Sequence, residues 1–150
     1  MPRAKVAKSR RPDAERAAEH WLHHVCGCRP EHIRRAVRTQ FQSVDFFASD
    51  VMGKTPEGIN HFAQVTAGQN EAVRTRRRKL EKIPWNEHEH VYVLQLVEMP
   101  DPARLSRKNF FFRVHRYGHW SEDKGREWAI DYEAHPVPKE WFKKLREIEE

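Results

Sequence analysis

Between positions 13 and 25 the apolar residues recur at helical spacing. At 100° per residue, Ala14, Ala17, Ala18, Trp21, Leu22 and Val25 fall within an arc of about 140°. Pro12 suits the first turn of such a helix, Asp13 the positive end of its dipole, and Gly27 its C-terminal end. Glu15 lies at the edge of the apolar arc and Glu19 further toward solvent. Positions 41–48 and 61–66 are apolar, aromatic and β-branched, and Gly53, Pro56 and Gly58 fall between them, which predicts a hairpin. A second helix is expected over 70–83, with Asn70 as its cap, Ala72, Val73, Leu80 and Ile83 on one stripe, and Pro84 as its stop. The continuous apolar run 91–97 reads as a buried strand, and 110–117 with 127–132 as a second hairpin. Beyond Pro138, Trp141, Phe142 and Leu145 share one side of a short terminal helix. This order predicts an α/β sandwich built on a mixed sheet.

At 150 residues the chain has room for one domain, expected over 12–150, with 1–11 as a flexible basic arm. Hydrophobic residues make up only 38%, so the core is modest, and 5 Trp and 8 Phe supply much of its buried surface. No apolar run approaches the roughly 18–20 residues needed to span a bilayer, and the N-terminus lacks the apolar stretch of a secretory signal, so no membrane role is expected. Cys26 and Cys28 are too few and too close for a disulfide framework, which points to a reducing cytoplasm.

The distribution of charge narrows the function classes more than its total of +6. Residues 1–38 carry ten basic against four acidic side chains and 74–82 six against one, whereas 39–73 carry one lysine against four acids. An acidic segment between two basic ones suits a protein that holds a divalent cation against a phosphodiester. Glu15 on the helix rim, Asp50 at the end of the first hairpin strand and Gln64 within the next strand form a triplet of oxygen donors, the kind that binds Mg²⁺ or Mn²⁺.

PDAERAAEHWL, VDFFASDVMGK, HFAQVTAG and RRRKLEKIPW together resemble the PD-(D/E)XK nuclease superfamily, and within it the small Holliday junction resolvase-like endonucleases of archaea and phages. The resemblance covers roughly residues 10–98. It implies a restriction-endonuclease-like mixed β-sheet flanked by helices, with a nuclease core over about 12–98 and an extra C-terminal hairpin and short helix over 99–150. It also implies that Glu15, Asp50 and Gln64 are the metal ligands. Asp45 competes with Asp50, because it too precedes an apolar triplet; Asp50 is preferred because it stands 14 positions before Gln64, the more usual hairpin length.

The lysine of the family pattern is replaced by Thr66, which cannot stabilise charge as a cation. On the second helix Arg76 falls inside the apolar stripe and Lys79 at its rim, so either is placed to supply the missing positive charge. Glu15 and Asp50 carry about two negative charges, which suits one Mg²⁺ better than two. The implied activity is hydrolysis of a phosphodiester bond in branched DNA by a homodimer of prokaryotic or phage-infected cells, with Mn²⁺ able to substitute. Arg10, Arg11, Arg74, Arg77 and Arg78 would bind backbone phosphates without reading sequence. The alternatives are a nuclease of the same fold acting on duplex, flap or nicked DNA, and an inactive DNA-binding protein.

Other signals weigh less. His20, His23, His24, Cys26, Cys28 and His32 crowd together, but Cys-x-Cys lacks the spacing of common zinc sites, and packing at the helix end is expected instead. His88 and His90 are expected to face solvent. Trp120 and Trp128, at the second hairpin turn, are expected to pack within it or at a dimer interface rather than stack on bases.

Overall fold

The stripe of alanines on the first helix sets the spacing of one whole layer. α1 (Arg3–His24) lays Ala14, Ala17, Ala18, Trp21 and Leu22 on the sheet, all with no exposed surface. Small side chains let the helix approach closely, and Trp21 fills the remaining space, edge-on to Tyr92 at 5.0 Å between ring centroids. A computed structural model describes residues 3–36, 49–86, 88–104, 108–121 and 125–145.

The described strands are β1 (Arg34–Arg35), β2 (Val51–Lys54), β3 (Asn60–Thr66), β4 (Glu89–Pro100), β5 (Lys108–Ser121) and β6 (Gly125–Pro136). They form one sheet in chain order. Every neighbouring pair is antiparallel except β3 and β4, which are parallel in the register Gln64 to Val93 and Thr66 to Gln95. A parallel pair needs a crossover, and α2 (Asn70–Glu81) supplies it on the face opposite α1. The expected α/β sandwich with a mixed sheet flanked by helices is therefore present, as are the C-terminal hairpin and a short 3₁₀ turn, Lys139–Phe142. That turn returns to α1: Trp141 stacks on His20 and His24, and Phe142 meets Phe110 edge-on.

Alternation along the strands separates two cores. Ala63, Val65, Tyr92, Leu94, Phe112 and Val114 face α1; Phe62, Val91 and Val93 face α2 with Val73, Leu80 and Trp85. Each fully buried Leu, Val or Phe contributes about 1.5–3 kcal/mol, so the α1 face carries most of the apolar stabilisation.

Several expectations need correction. The helix begins at Arg3, so 3–11 is helical and continuous with α1, and Pro12 lies inside the helix rather than in its first turn. Its end is as expected: Gly27, at φ 85°, lets the chain leave, and the Cys28 N–H returns to the Leu22 carbonyl at 3.0 Å. Val25 follows the last helical residue and is 47% exposed, so it leaves the stripe. Positions 41–48 lie outside the described residues, and the strand that pairs with β3 is β2. Gly53 belongs to that strand rather than to a turn: a Cβ there would come within 2.9 Å of the Cys28 sulfur, so glycine permits the close approach of the α1 end. The turn spans 55–59, closed by Thr55 N–H to the Ile59 carbonyl. β1, two residues long, is too short to leave a periodic signal.

Candidate functional site

Asp50 stands just before β2, where three strands meet. Its backbone N–H donates to the Ala63 carbonyl (2.9 Å), its carbonyl accepts from Ala36 (2.8 Å), and its Oδ2 accepts from the Val65 N–H (2.8 Å). The carboxylate thus takes the place of a backbone acceptor beyond the end of the β2 ladder. The carbonyl of the same Val65 accepts from Arg76 Nε at 2.9 Å. In an extended strand a residue's N–H and C=O point to the same edge. One residue of β3 therefore brings the Asp50 carboxylate and the Arg76 guanidinium to a common edge.

Gln64 precedes Val65, and continuing the Val51–Ala63 register sets it opposite Asp50. Its side chain turns to the α2 face, and both residues are buried, at 2% and 3% exposure. Glu15 reaches this end from the other face. Cys28, beyond the C-terminus of α1, packs on Gly53, and Glu19 pairs with Arg35, which opposes Val51. One turn earlier on α1, Glu15 is half-buried. Val65 thus links Asp50 and Arg76, Gln64 is its neighbour in the strand, and Glu15 belongs to α1, which covers the face opposite α2.

The remaining expected residues fall elsewhere. Lys79 is exposed, one turn beyond Arg76 on α2. Arg74 and Arg78 are exposed, as phosphate contacts require. Arg77 is not available in that way: its Nη2 donates to His115 Nδ1 at 2.7 Å and its guanidinium lies 4.9 Å from the centre of the Trp128 ring, so the fold itself uses this cation. Asp45 and the side chains of Arg10, Arg11 and Trp120 lie outside the described residues. Thr66 Oγ1 accepts from the Gly68 N–H at 2.9 Å and so helps turn the chain into α2.

Among the described residues no three His, Cys, Asp or Glu side chains gather closely enough to hold a metal ion. The expected set of Glu15, Asp50 and Gln64 holds two carboxylates and one amide. The crowded histidines and cysteines pack at the end of α1, as expected. His20, His24 and Trp141 pack on one another, His20 Nε2 lies 2.9 Å from the Lys143 carbonyl, and His23 Nδ1 lies 2.8 Å from the Cys28 carbonyl. Burial pushes the Cys26 thiol up to about 12 and the Cys28 thiol up to about 11, so both stay protonated and weakly nucleophilic. Trp128 packs within its hairpin as expected, stacked on Tyr117 at 4.5 Å with Nε1 donating to Glu81. His90 is exposed, as expected, with its ring 4.9 Å from that of His61.

No family model, curated protein or solved structure matches the chain.

Two polar groups in the sheet escaped sequence reasoning. His115 and Gln95 are buried on the α2 face, His115 Nε2 lying 3.2 Å from Gln95 Oε1, while Gln95 Nε2 donates to the Gly68 carbonyl at 3.0 Å. Burial, with Arg77 and Arg113 nearby, brings His115 down to about 4. The available signal was a glutamine inside the apolar run VYVLQLV, since a buried amide needs partners. No helix among the described residues is long and apolar enough to cross a membrane.

Proposed function

We propose that this chain is a metal-dependent DNA endonuclease of the PD-(D/E)XK kind, acting on branched DNA as a homodimer. The observation that carries the reading is the double use of Val65, whose N–H binds the Asp50 carboxylate and whose C=O binds Arg76. The order of elements supports it: α1, an antiparallel meander of three strands, α2 and the parallel β4 form the helix-flanked mixed sheet that the resemblance implies.

The donor set suits Mg²⁺, being all oxygen: Glu15, Asp50 and the amide of Gln64 would hold it. When bound, such an ion polarises a phosphoryl oxygen and lowers the pKa of a coordinated water. Asp50, fixed by Val65 and by strands on both sides, keeps its carboxylate oriented. Arg76, held one residue from Thr66, supplies the cation that the threonine lacks and faces the negative charge that develops on the phosphate. Arg74 and Arg78 contact the backbone and position it. Symmetric cutting of a four-way junction needs two such sites, hence a dimer; this step rests on the resemblance. The free thiols agree with a reducing cytoplasm.

Thr66 favours a second reading, a DNA-binding protein that does not cut, because its hydroxyl is already engaged by Gly68. One experiment separates the two. The purified chain is incubated with a four-way junction, a flap and a linear duplex, each with Mg²⁺, Mn²⁺ or EDTA. Paired metal-dependent cuts in the junction are expected, lost in Glu15→Gln and Asp50→Asn while binding survives. Equal cutting of all three substrates would remove the preference for branches, and no cutting of any would leave only the binding protein.

A further inference from the structure

The hydrogen bonds that join α2 to the sheet have a single permitted direction. A guanidinium only donates, so Arg77 Nη2 requires a bare Nδ1 on His115, and the imidazole proton must sit on Nε2. That proton points at Gln95 Oε1, which fixes the amide's orientation, and the amide nitrogen then donates to the Gly68 carbonyl, a pure acceptor. The chain Arg77–His115–Gln95–Gly68 has a defined end at each side and admits no flipped alternative. Burial agrees, since it holds the His115 imidazole neutral down to about pH 4.

The two ends of this chain lie on α2 and on its entry. Gly68 stands two residues before the first residue of the helix, and Arg77 lies in its second half. Between them they fix how far the helix slides along the sheet and how it is rotated about its axis. Arg76 is the next residue, about 100° away on the helix circumference, and it points down the opposite flank to Val65. Any rotation that frees Arg77 from β5 carries Arg76 away from β3. Apolar contacts resist such a rotation weakly, because only Val73 and Leu80 of the helix are fully buried.

We infer that His115 and Gln95 are positioning residues that lock the rotation of α2 and thereby hold the Arg76 guanidinium on the Val65 carbonyl of β3. Neither touches the site itself; they act through the helix. The functional meaning of the lock rests on the nuclease reading, but its existence does not.

The test follows exchange of the Arg76 side-chain Nε–H with water by NMR, with the Leu94 amide in the same sample reporting overall stability. Arg77→Met removes the donor from the half-buried flank, and His115→Phe removes both imidazole bonds at similar volume. Both should speed Arg76 exchange at least tenfold relative to Leu94. His115→Asn, whose Oδ1 can stand where Nδ1 stood, should return to within threefold of wild type. Unchanged Arg76 exchange in Arg77→Met overturns the inference, even where His115→Phe fails to fold, and so does failure of His115→Asn to restore it. In parallel, if the wild type cuts DNA, Arg77→Met should lower kcat at least tenfold with KM within twofold. A wild type that does not cut would defeat the nuclease reading and leave the exchange result to decide the lock.

Discussion

The two faces of the sheet are covered by helices of opposite chemistry. α1 approaches through alanines, Trp21 and Leu22, and its layer is closed by Phe112, Val114, Val137 and Leu145, a continuous apolar surface. α2 brings five arginine and lysine residues in six positions, 74 and 76–79, buries only Val73 and Leu80, and is secured by hydrogen bonds to Val65, His115 and, through Gln95, Gly68. Volume dominates on the first face and bond direction on the second. The difference teaches where a reaction site can be built: at the junction, an apolar layer fixes Asp50 and Val65 while a polar layer delivers a cation.

The largest expected effect belongs to the packed face. Trp21→Ala should cost about 3–5 kcal/mol in urea unfolding; a loss below about 1 kcal/mol would deny that volume dominates there. Acid should weaken both faces together. His61 on the α1 face and His115 on the α2 face are each brought down from 6.5 to about 4, first by burial and then by positive neighbours: His90 and Arg116 for the former, Arg77 and Arg113 for the latter. The unfolded chain takes up these protons near pH 6.5 and the fold only near 4. Their contribution is therefore complete above pH 6.5, declines as pH falls toward 4 and is level below it. Urea midpoints across that range should follow this curve, and His61→Phe or His115→Asn should each flatten it in part.

Gln95→Met tests bond direction alone. It preserves bulk but strips partners from the Gly68 carbonyl and from His115, and should cost about 1–3 kcal/mol. A neutral result would mean that the α2 face, too, is held by packing. Smallest is Val25→Ser: the residue shares the helical spacing of Trp21 but not its burial, so its unfolding free energy should change by no more than about 0.5 kcal/mol.

This contrast also explains what the sequence made legible. Helical spacing revealed the α1 stripe because one short segment carries it, and it failed at Val25 because spacing does not mark where Gly27 ends the helix. Gly53 looked like a turn residue, since nothing local announces that Cys28 needs the room. That Asp50 and Gln64 belong to one hairpin was legible from the apolar run around Gln64 and the turn residues before it, but the strand beside Asp50 follows it rather than precedes it. The Arg77–His115–Gln95–Gly68 chain was not, because its members come from three elements and the loop before α2 and stand up to 47 positions apart, joined only when the parallel crossover seats α2 on β4 and β5. Arg77 looked like a phosphate contact for the same reason: its partners are remote in the chain.

The central claim is that the edge of β3 at Val65 is a metal-dependent reaction site. Mn²⁺ titrated into the ¹⁵N-labelled protein tests it most directly, because the ion broadens the amides nearest to it. Broadening centred on Asp50, Gln64 and Val65, abolished by Asp50→Asn, is the predicted result. Broadening centred on another part of the sheet, or none at those three amides, would contradict it.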